Sequence, residues 1–323
     1  MTRILRHYGT LIGMAGIVVF FWVMLPDTFM TARNWLNISQ QLAMLTVVAA
    51  TMTVVMVMGD FDLSVGSLAS LAGVVAAVLF SKDWSIGPAL IAALAVGLLG
   101  GLVNGALVSL VGILPFVATL ATLTMYSGLA FVVSDGKTIF GRDIPEAFAN
   151  FARSGLPIGT IADKPALLPW LTVLALAITG IIWVVLEQTT YGRRLYAIGG
   201  NAEAARLAGV KVVWLRLFAF GFTGIGAAIA GLMYASRVAS ANPTQGDGLM
   251  LTAIAAVFLG MTITRDGQPR VLATLAGVAV LGVMDNGLTQ LQIDSYVREV
   301  LVGLIILVAV SISALGRRAV GLR

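Results

Sequence analysis

Long apolar runs alternate with short polar breaks along almost the whole chain. A helix that crosses a bilayer needs about 20 mostly apolar residues, and ten runs approach that length. The pattern predicts an all-α, polytopic membrane protein of about ten transmembrane helices, with residues 1–323 forming a single transmembrane domain. The predicted helices are 8–25, 39–58, 64–80, 87–110, 115–134, 166–186, 214–235, 249–263, 271–289 and 296–315.

Two of these runs need comment. The eighth, 249–263, is short for a span, which predicts a broken or partly re-entrant segment. The first follows Arg3 and Arg6, but no clear small-residue cleavage site comes after it. We therefore expect a retained helix rather than a signal peptide.

Composition agrees with a membrane protein and excludes several kinds of site. The chain is 59% hydrophobic and only 11% charged, whereas a soluble domain has about 25% charged residues. It has no cysteine and a single histidine, His7, so disulfides, thiolate sites and multi-histidine metal or haem sites are excluded. We expect no cofactor and no metal. The net charge of +5 is interpreted as topology and contact with acidic membrane lipids, not as nucleic-acid binding.

The polar segment 187–213 is the most informative break between two apolar runs. Polar backbone cannot lie bare in hydrocarbon, and an excess of Lys and Arg marks cytoplasmic loops. Asn201 predicts a helix cap and Gly209 a helix end. This segment and the start of the next run carry one acid, Glu203, and five basic residues: Arg193, Arg194, Arg206, Lys211 and Arg216.

Counting helices from a cytoplasmic N-terminus gives a consistent topology. The loop 135–165 then falls in the periplasm, and 187–213 falls in the cytoplasm. The C-terminus, with Arg317, Arg318 and Arg323, also falls inside. Both basic clusters therefore lie on one side, as the positive-inside rule requires.

An internal repeat is a further prediction. Residues 59–73 and 246–260 both begin with a polar, glycine-rich stretch that leads into an Ala/Gly helix, and the helix count places these two stretches on opposite sides. This predicts two inverted five-helix halves, as in many transporters. The abundance of Gly, Ala and Leu produces the same likeness without a repeat, so both interpretations stay open.

Polar residues at membrane depth are candidates for a substrate pathway, because such groups are costly there. Asp60 and Asp62 are the most suggestive acids, although Asp62 or Ser64 would also suit a helix cap. The pair Asp285 and Asn286 would also suit an interhelical hydrogen bond that only holds the bundle. The predicted pathway residues are Asp62, Ser64, Ser67, Asn104, Thr119, Thr122, Asp285 and Asn286.

Five segments together resemble one family, the permease subunits of bacterial ABC sugar importers for ribose, xylose, galactose and arabinose. The variants GDFDLS and SDGK look most like L-arabinose permeases. One departure is the segment after the eighth run, where the family has a glycine-rich stretch and this chain reads GMTITRDGQPR. The matching segments are 59–73, 114–137, 191–210, 241–260 and 283–291.

The resemblance implies a subunit that performs no chemistry itself and resides in the bacterial inner membrane. It implies three protein partners: a cytoplasmic ABC ATPase, a periplasmic sugar-binding protein, and a second permease copy or a paralogue. An ion-coupled secondary transporter using Asp62 or Asp285 is the alternative, but it has no need of a cytoplasmic docking helix. The implied ATPase-coupling residues are Gly199, Gly200, Asn201, Glu203, Ala204, Ala205, Arg206, Leu207 and Gly209.

Overall fold

A computed structural model describes residues 2–161, 164–264, 266–301, 303–304 and 307. The chain is mostly helical. The α-helices are α1 Thr2–Met24, α2 Ala32–Met56, α3 Val65–Ser81, α4 Ile86–Ala106, α5 Pro115–Ser134, α6 Glu146–Arg153, α7 Trp170–Trp183, α8 Thr190–Gly200, α9 Ala202–Leu207, α10 Val212–Val238, α11 Leu249–Met261 and α12 Val271–Gln290. Short π-helices, Leu107–Val111 and Val184–Gln188, extend α4 and α7.

The predicted membrane spans are found in large part. Within the described ranges, six helices are long and apolar enough to cross a membrane, and each of the first nine predicted runs coincides with a helix. The described residues between 295 and 307 are also helical, but most of the predicted run 296–315 lies outside the described residues, as do the three C-terminal arginines. The protein is therefore a polytopic membrane protein, and the count of ten helices stays a prediction.

Two small sheets correct the prediction of an all-α fold. Strands β1 Ile139–Phe140 and β4 Ser240–Ala241 pair antiparallel, as do β2 Gly155–Ile161 and β3 Lys164–Pro169. A helix was predicted from residue 166, but Pro165 and Pro169 lack the N–H groups that a helix interior needs. The helix therefore begins at Trp170, directly after Pro169.

Small residues set the packing of the bundle centre. A Cβ added at Gly97 of α4 would lie 2.5 Å from the carbonyl oxygen of Gly224 on α10, and one added at Gly101 would collide with the carbonyl oxygen of Phe220. The backbones of α4 and α10 thus touch directly, which is how helices associate closely in lipid. The centre is formed by α2, α3 and α10, whose facing residues are almost all buried.

The segment before α11 folds back into the bundle. Its Gly246 N–H donates to Ser70 Oγ at 2.7 Å, and a Cβ at Gly66 would lie 2.6 Å from the Gly246 carbonyl oxygen. Both partners belong to the first half of α3. The helix α11 is only 13 residues long, or about 20 Å, because the chain has already travelled part of the depth before α11 begins. The span is therefore broken into an irregular stretch and a short helix, which is one of the two forms that the sequence predicts for it.

Contacts between distant segments define the two ends of the bundle. At one end, called here the hairpin side, segments 57–64, 187–211 and 266–271 meet. At the other, called the cap side, α6 and the two small sheets cover the helix ends. There, Ser236 Oγ donates to the Phe148 carbonyl oxygen at 2.6 Å and Gln40 Nε2 donates to that of Ala152 at 2.5 Å.

Candidate functional site

A helical hairpin projects from the hairpin side. Helices α8 and α9 meet at Asn201, whose Oδ1 accepts a hydrogen bond from the Ala204 N–H at 2.9 Å. Gly209 has a φ of 83°, a left-handed conformation that suits glycine and ends the helical segment. The capped helix predicted from the sequence is therefore present. The sequence did not predict α8, because its residues are too polar to form an apolar run.

The outer face of α9 is exposed and carries opposite charges. Arg206 donates to both carboxylate oxygens of Glu203, at 2.9 and 2.6 Å, and both side chains are more than 60% exposed. This bidentate bond lowers the pKa of Glu203, so the pair stays charged near neutral pH. Leu207 beside them is 76% exposed. Ala204 and Gly200 are also exposed, whereas Ala205 is buried and anchors α9.

Two contacts attach the hairpin to the bundle, and a third attaches the end of α7 directly before it. Gly199 lies so close to the carbonyl oxygen of Val57 that any Cβ would collide with it. Tyr196 Oη donates to the Pro269 carbonyl oxygen at 2.9 Å. The Val271 N–H, at the start of α12, donates to Glu187 Oε1 at 3.0 Å. The hairpin is therefore in contact with the ends of α2 and α12. It reaches them partly through the segment 264–270 that departs from the family pattern.

Four of the predicted pathway residues form one buried network. Asp62 Oδ1 accepts from the Ser64 N–H at 2.9 Å, from Ser64 Oγ at 2.7 Å and from Asn104 Nδ2 at 3.2 Å. Thr122 Oγ1 donates to Asn104 Oδ1 at 2.7 Å. The network joins the start of α3 to α4 and α5, and its members are almost completely inaccessible. Asp62 thus accepts bonds just before the start of α3, but the N-cap residue of that helix is Ser64, which makes no side-chain cap bond.

Ser67 and Thr119 satisfy their hydroxyls locally. Ser67 Oγ donates to the Ser64 carbonyl oxygen at 2.9 Å, one turn back along the chain. Thr119 Oγ1 donates to the Pro115 carbonyl oxygen at 2.8 Å, a common arrangement for threonine in membrane helices. Both side chains are buried.

The two remaining pathway residues lie near the opposite end of the bundle. Asn286 is buried, accepting from Asn34 Nδ2 at 3.1 Å and from Gln290 Nε2 at 2.8 Å. Asp285 beside it is half exposed and pairs with Arg298 at 2.9 Å. The structure therefore separates the predicted pathway residues into two groups, one near each side.

A cavity lies elsewhere in the bundle. It has a volume of about 150 Å³, lies between α2, α7 and α12, and is lined by the hydroxyl-bearing residues Ser39, Thr46 and Thr172 among apolar neighbours. None of the predicted pathway residues lines it. These threonines and the serine were missed because isolated hydroxyls in apolar runs carry no distinctive sequence signal. Among the described residues, no group of acidic or histidine side chains has the arrangement of a metal site.

An ion pair between distant segments was also missed. Asp60 and Arg216 are separated by 156 positions, and Arg216 Nε and Nη2 donate to the two carboxylate oxygens of Asp60 at 2.7 and 3.2 Å. The sequence indicated each residue separately, Asp60 as a suggestive acid and Arg216 as part of a basic segment. Only the fold brings them together.

These features define a class: a multi-pass membrane protein with a compact helical hairpin on one side and a small α/β cap on the other. The family described as "Branched-chain amino acid transport system / permease component" matches residues 34–310, and the chain belongs to that family. No solved structure matches.

Similar proteins cover nearly the full length of the chain. The ribose import permease of Bacillus subtilis is 36% identical over 310 residues, which cover 95% of this chain and 92% of that protein. The L-arabinose transport system permease of Escherichia coli is 36% identical over 311 residues, covering 95% and 90%. The D-allose transport system permease of the same bacterium is 31% identical over 319 residues, covering 95% and 91%.

The resemblance to permease subunits of sugar importers is therefore confirmed, and these relatives are permeases rather than enzymes. The preference for arabinose permeases is not supported, because ribose permeases match equally well.

Proposed function

We propose that this chain is the membrane-spanning permease subunit of an ATP-binding-cassette importer that carries a monosaccharide across the bacterial inner membrane. The observation that carries the proposal is similarity along 95% of the chain to permeases named for ribose, L-arabinose and D-allose. The exposed α8–α9 hairpin supports it, since a subunit without an ATPase site of its own needs a surface on which a motor can act.

The proposed docking element for the ATPase is α9 with the end of α8. Asn201 caps this short helix, Glu203 and Arg206 form an ion pair on it, and the buried Ala205 anchors it, which would suit it to transmit a push from a partner. Its exposed residues offer charge and, at Leu207, apolar area to a soluble partner. The alternative is a solvated charged surface without a partner, in which case reversing both charges of the Glu203–Arg206 pair would leave ATP hydrolysis unchanged.

The proposed orientation places the hairpin side and both termini in the cytoplasm. The cap side then faces the periplasm and offers α6 and the β2–β3 hairpin to a sugar-binding protein. The absence of cysteine makes this testable with single introduced cysteines. An impermeant thiol reagent applied to spheroplasts should label Asn150→Cys and spare Glu203→Cys, both of which replace exposed residues. Labelling of both, or only of the second, would overturn the orientation.

The sugar is proposed to be a pentose or hexose, with L-arabinose as one candidate beside ribose. A neutral sugar needs hydroxyl-bonding groups rather than fixed charges along its path. The buried network around Asp62 is closed in this conformation, so its members would meet sugar only after the helices separate. A second copy of the chain, or a paralogue, would complete the pathway.

We propose that the helices around the Asp62 network separate by relative movement of two inverted halves of the chain. The helix α2 packs against α10, α11 and α12, while α10 packs against α2, α3 and α4. The two sets of three helices correspond in chain order, α2 to α10, α3 to α11 and α4 to α12. Replacing each helix by its counterpart turns every contact among these six helices into another contact that is also present. Halves related in this way support alternating access, in which one half rocks against the other.

The decisive experiment is reconstitution. The chain should be purified with the ATPase that accompanies it, placed in proteoliposomes, and assayed with labelled D-ribose, L-arabinose and D-allose in the presence of a binding protein. We expect uptake of at least one sugar that requires ATP and persists when proton and sodium gradients are collapsed. Uptake that needs a gradient and no ATP would establish the ion-coupled carrier instead.

A further inference from the structure

The ion pair between Asp60 and Arg216 has the geometry of a mechanical link. Arg216 lies in the second turn of α10, and Asp60 lies in the segment between α2 and α3. Two parallel N–H···O bonds fix both distance and angle between the partners. The Asp60 side chain is only 5% exposed and that of Arg216 is 25% exposed, so water competes weakly for the bond. Such a pair is better shielded from water than the exposed pairs elsewhere in the described chain.

Each partner is attached to the hairpin by its own route. Arg216 follows α9 after a connection of a few residues, so the hairpin and α10 are covalently continuous. Asp60 follows Val57 by three residues, and Val57 is in backbone contact with Gly199 of α8. The ion pair therefore closes a loop of contacts that runs from α8 through α9 and α10 and back to the 57–64 segment.

The other end of that segment is held in the bundle interior. Asp62, two residues after Asp60, is bonded to Ser64 and Asn104. Through Asn104 the contacts continue to Thr122 on α5. A displacement of Asp60 is consequently passed to the start of α3 and to α4 and α5, because Asp62, Ser64, Asn104 and Thr122 are buried and hydrogen-bonded to one another.

We propose that Asp60 and Arg216 are positioning residues that make the hairpin, α10 and the start of α3 move as one unit during transport. This inference rests on the proposed function, because it concerns how a push on the hairpin reaches the membrane-embedded helices. Without the pair, α10 still moves with α9 through the backbone, but the 57–64 segment loses its charged link to α10 and keeps the packing of Gly199 on Val57 and Met58.

The test compares Asp60→Asn, Arg216→Gln and the double variant in the reconstituted complex. The asparagine and glutamine side chains are similar in shape to those they replace but carry no charge. We expect uptake per ATP hydrolysed to fall by about fivefold or more, the lower range of typical coupling effects. Co-purification of the ATPase and basal ATP hydrolysis should persist. The double variant should lose no more than either single, since all three remove the same link. Arg216→Lys, which keeps the charge, should lose less than Arg216→Gln.

The matched control is the pair Asp266→Asn and Arg270→Gln. These residues also form an ion pair on the hairpin side, at 2.9 Å, but they lie four positions apart in one loop, so their bond joins no two distant segments. We expect wild-type uptake per ATP from this control.

The outcomes separate the two proposals. Unchanged uptake per ATP in the Asp60 and Arg216 variants, with an active wild type, overturns the inference alone. Loss of assembled complex in proportion to loss of uptake also overturns it, since that result indicates a purely structural pair. A wild-type complex without any ATP-dependent uptake overturns the proposed function, and this inference with it.

Discussion

The Asp62 network and the outer face of α9 are both polar, lie near the same side of the bundle, and differ in where their polar groups find partners. In the network, the carboxylate, hydroxyl and amide groups bond to one another and are hidden from solvent. On α9, Glu203 and Arg206 bond to each other but remain exposed. Similar residue types therefore serve two purposes. A buried polar group needs a hydrogen-bond partner within the protein, because leaving it unpaired is costly in free energy. An exposed polar group is free to contact another protein.

The largest effect should follow from removing the centre of the network. Asp62→Leu leaves the Ser64 N–H and hydroxyl without an acceptor and leaves Asn104 Nδ2 with Ser64 Oγ alone, at about 1–3 kcal/mol for each buried group that is left unpaired. We expect little folded protein in the membrane, measured by size-exclusion profile and melting temperature in detergent. Asp62→Asn keeps one carbonyl acceptor at the same place and should be clearly milder. Equal yields and melting temperatures for both variants would show that the network does not hold the bundle.

On α9 we expect the opposite result, in which stability is kept and function is lost. Exchanging the charges with Glu203→Arg and Arg206→Glu keeps an ion pair within the helix but reverses the charge pattern that a partner meets. The melting temperature should remain at the wild-type value, because both side chains are solvent-exposed. Substrate-stimulated ATP hydrolysis should disappear. The control is the exchange of Asp266 with Arg270, which should leave stimulation intact. Wild-type stimulation in the α9 double variant would mean that the ATPase docks elsewhere.

Much of the architecture could be predicted from the sequence because lipid imposes a simple rule. Spans such as Pro115–Ser134 are long apolar runs, and that helix has the predicted bounds. The α9 cap was predictable because Asn201 and Gly209 act within their own segment. The strands β2 and β3 were not, since their short segments show no regular alternation of apolar and polar residues and their prolines only indicate where a helix stops.

The site could be predicted only in part, for a different physical reason. Asp62, Asn104 and Thr122 were singled out individually because polar groups at membrane depth are costly. Their mutual bonding depends on how α3, α4 and α5 pack, which no local pattern encodes. The same holds for Asp60 and Arg216, and for the separation of Asp285 from Asp62. Pairs of residues that are far apart in the sequence can be recognised only once the fold is known.

A smaller effect should follow from loss of the α9 cap. Asn201→Ala removes the side-chain acceptor for the Ala204 N–H, which costs about 1 kcal/mol at a helix N-terminus. The amides of 202–207 should exchange with solvent about fivefold faster, since 1.4 kcal/mol corresponds to tenfold. Uptake should fall moderately while the transmembrane helices keep their protection. Thr189→Ala is a matched control, because it removes the cap of α8 and should accelerate exchange there instead. Unchanged exchange in α9 would contradict the role of Asn201.

The smallest effect should be found at Asp285. This acid lies within an apolar helix, like the Asp62 network, but its side chain is exposed, like those of α9. Its ion pair with Arg298 is half exposed on the Asp285 side, and such pairs contribute about 0–1 kcal/mol. Asp285→Asn should therefore change the melting temperature little and leave ATP-dependent uptake in place. Asn286→Ala, one residue further, is the matched comparison. Its side chain is buried and accepts from Asn34 and Gln290, so its loss should lower the melting temperature more. If Asp285→Asn instead abolished uptake in a folded protein whose transport followed the proton gradient, the carboxylate would be an ion-coupling group. Transport would then be driven from the cap side rather than from the α8–α9 hairpin.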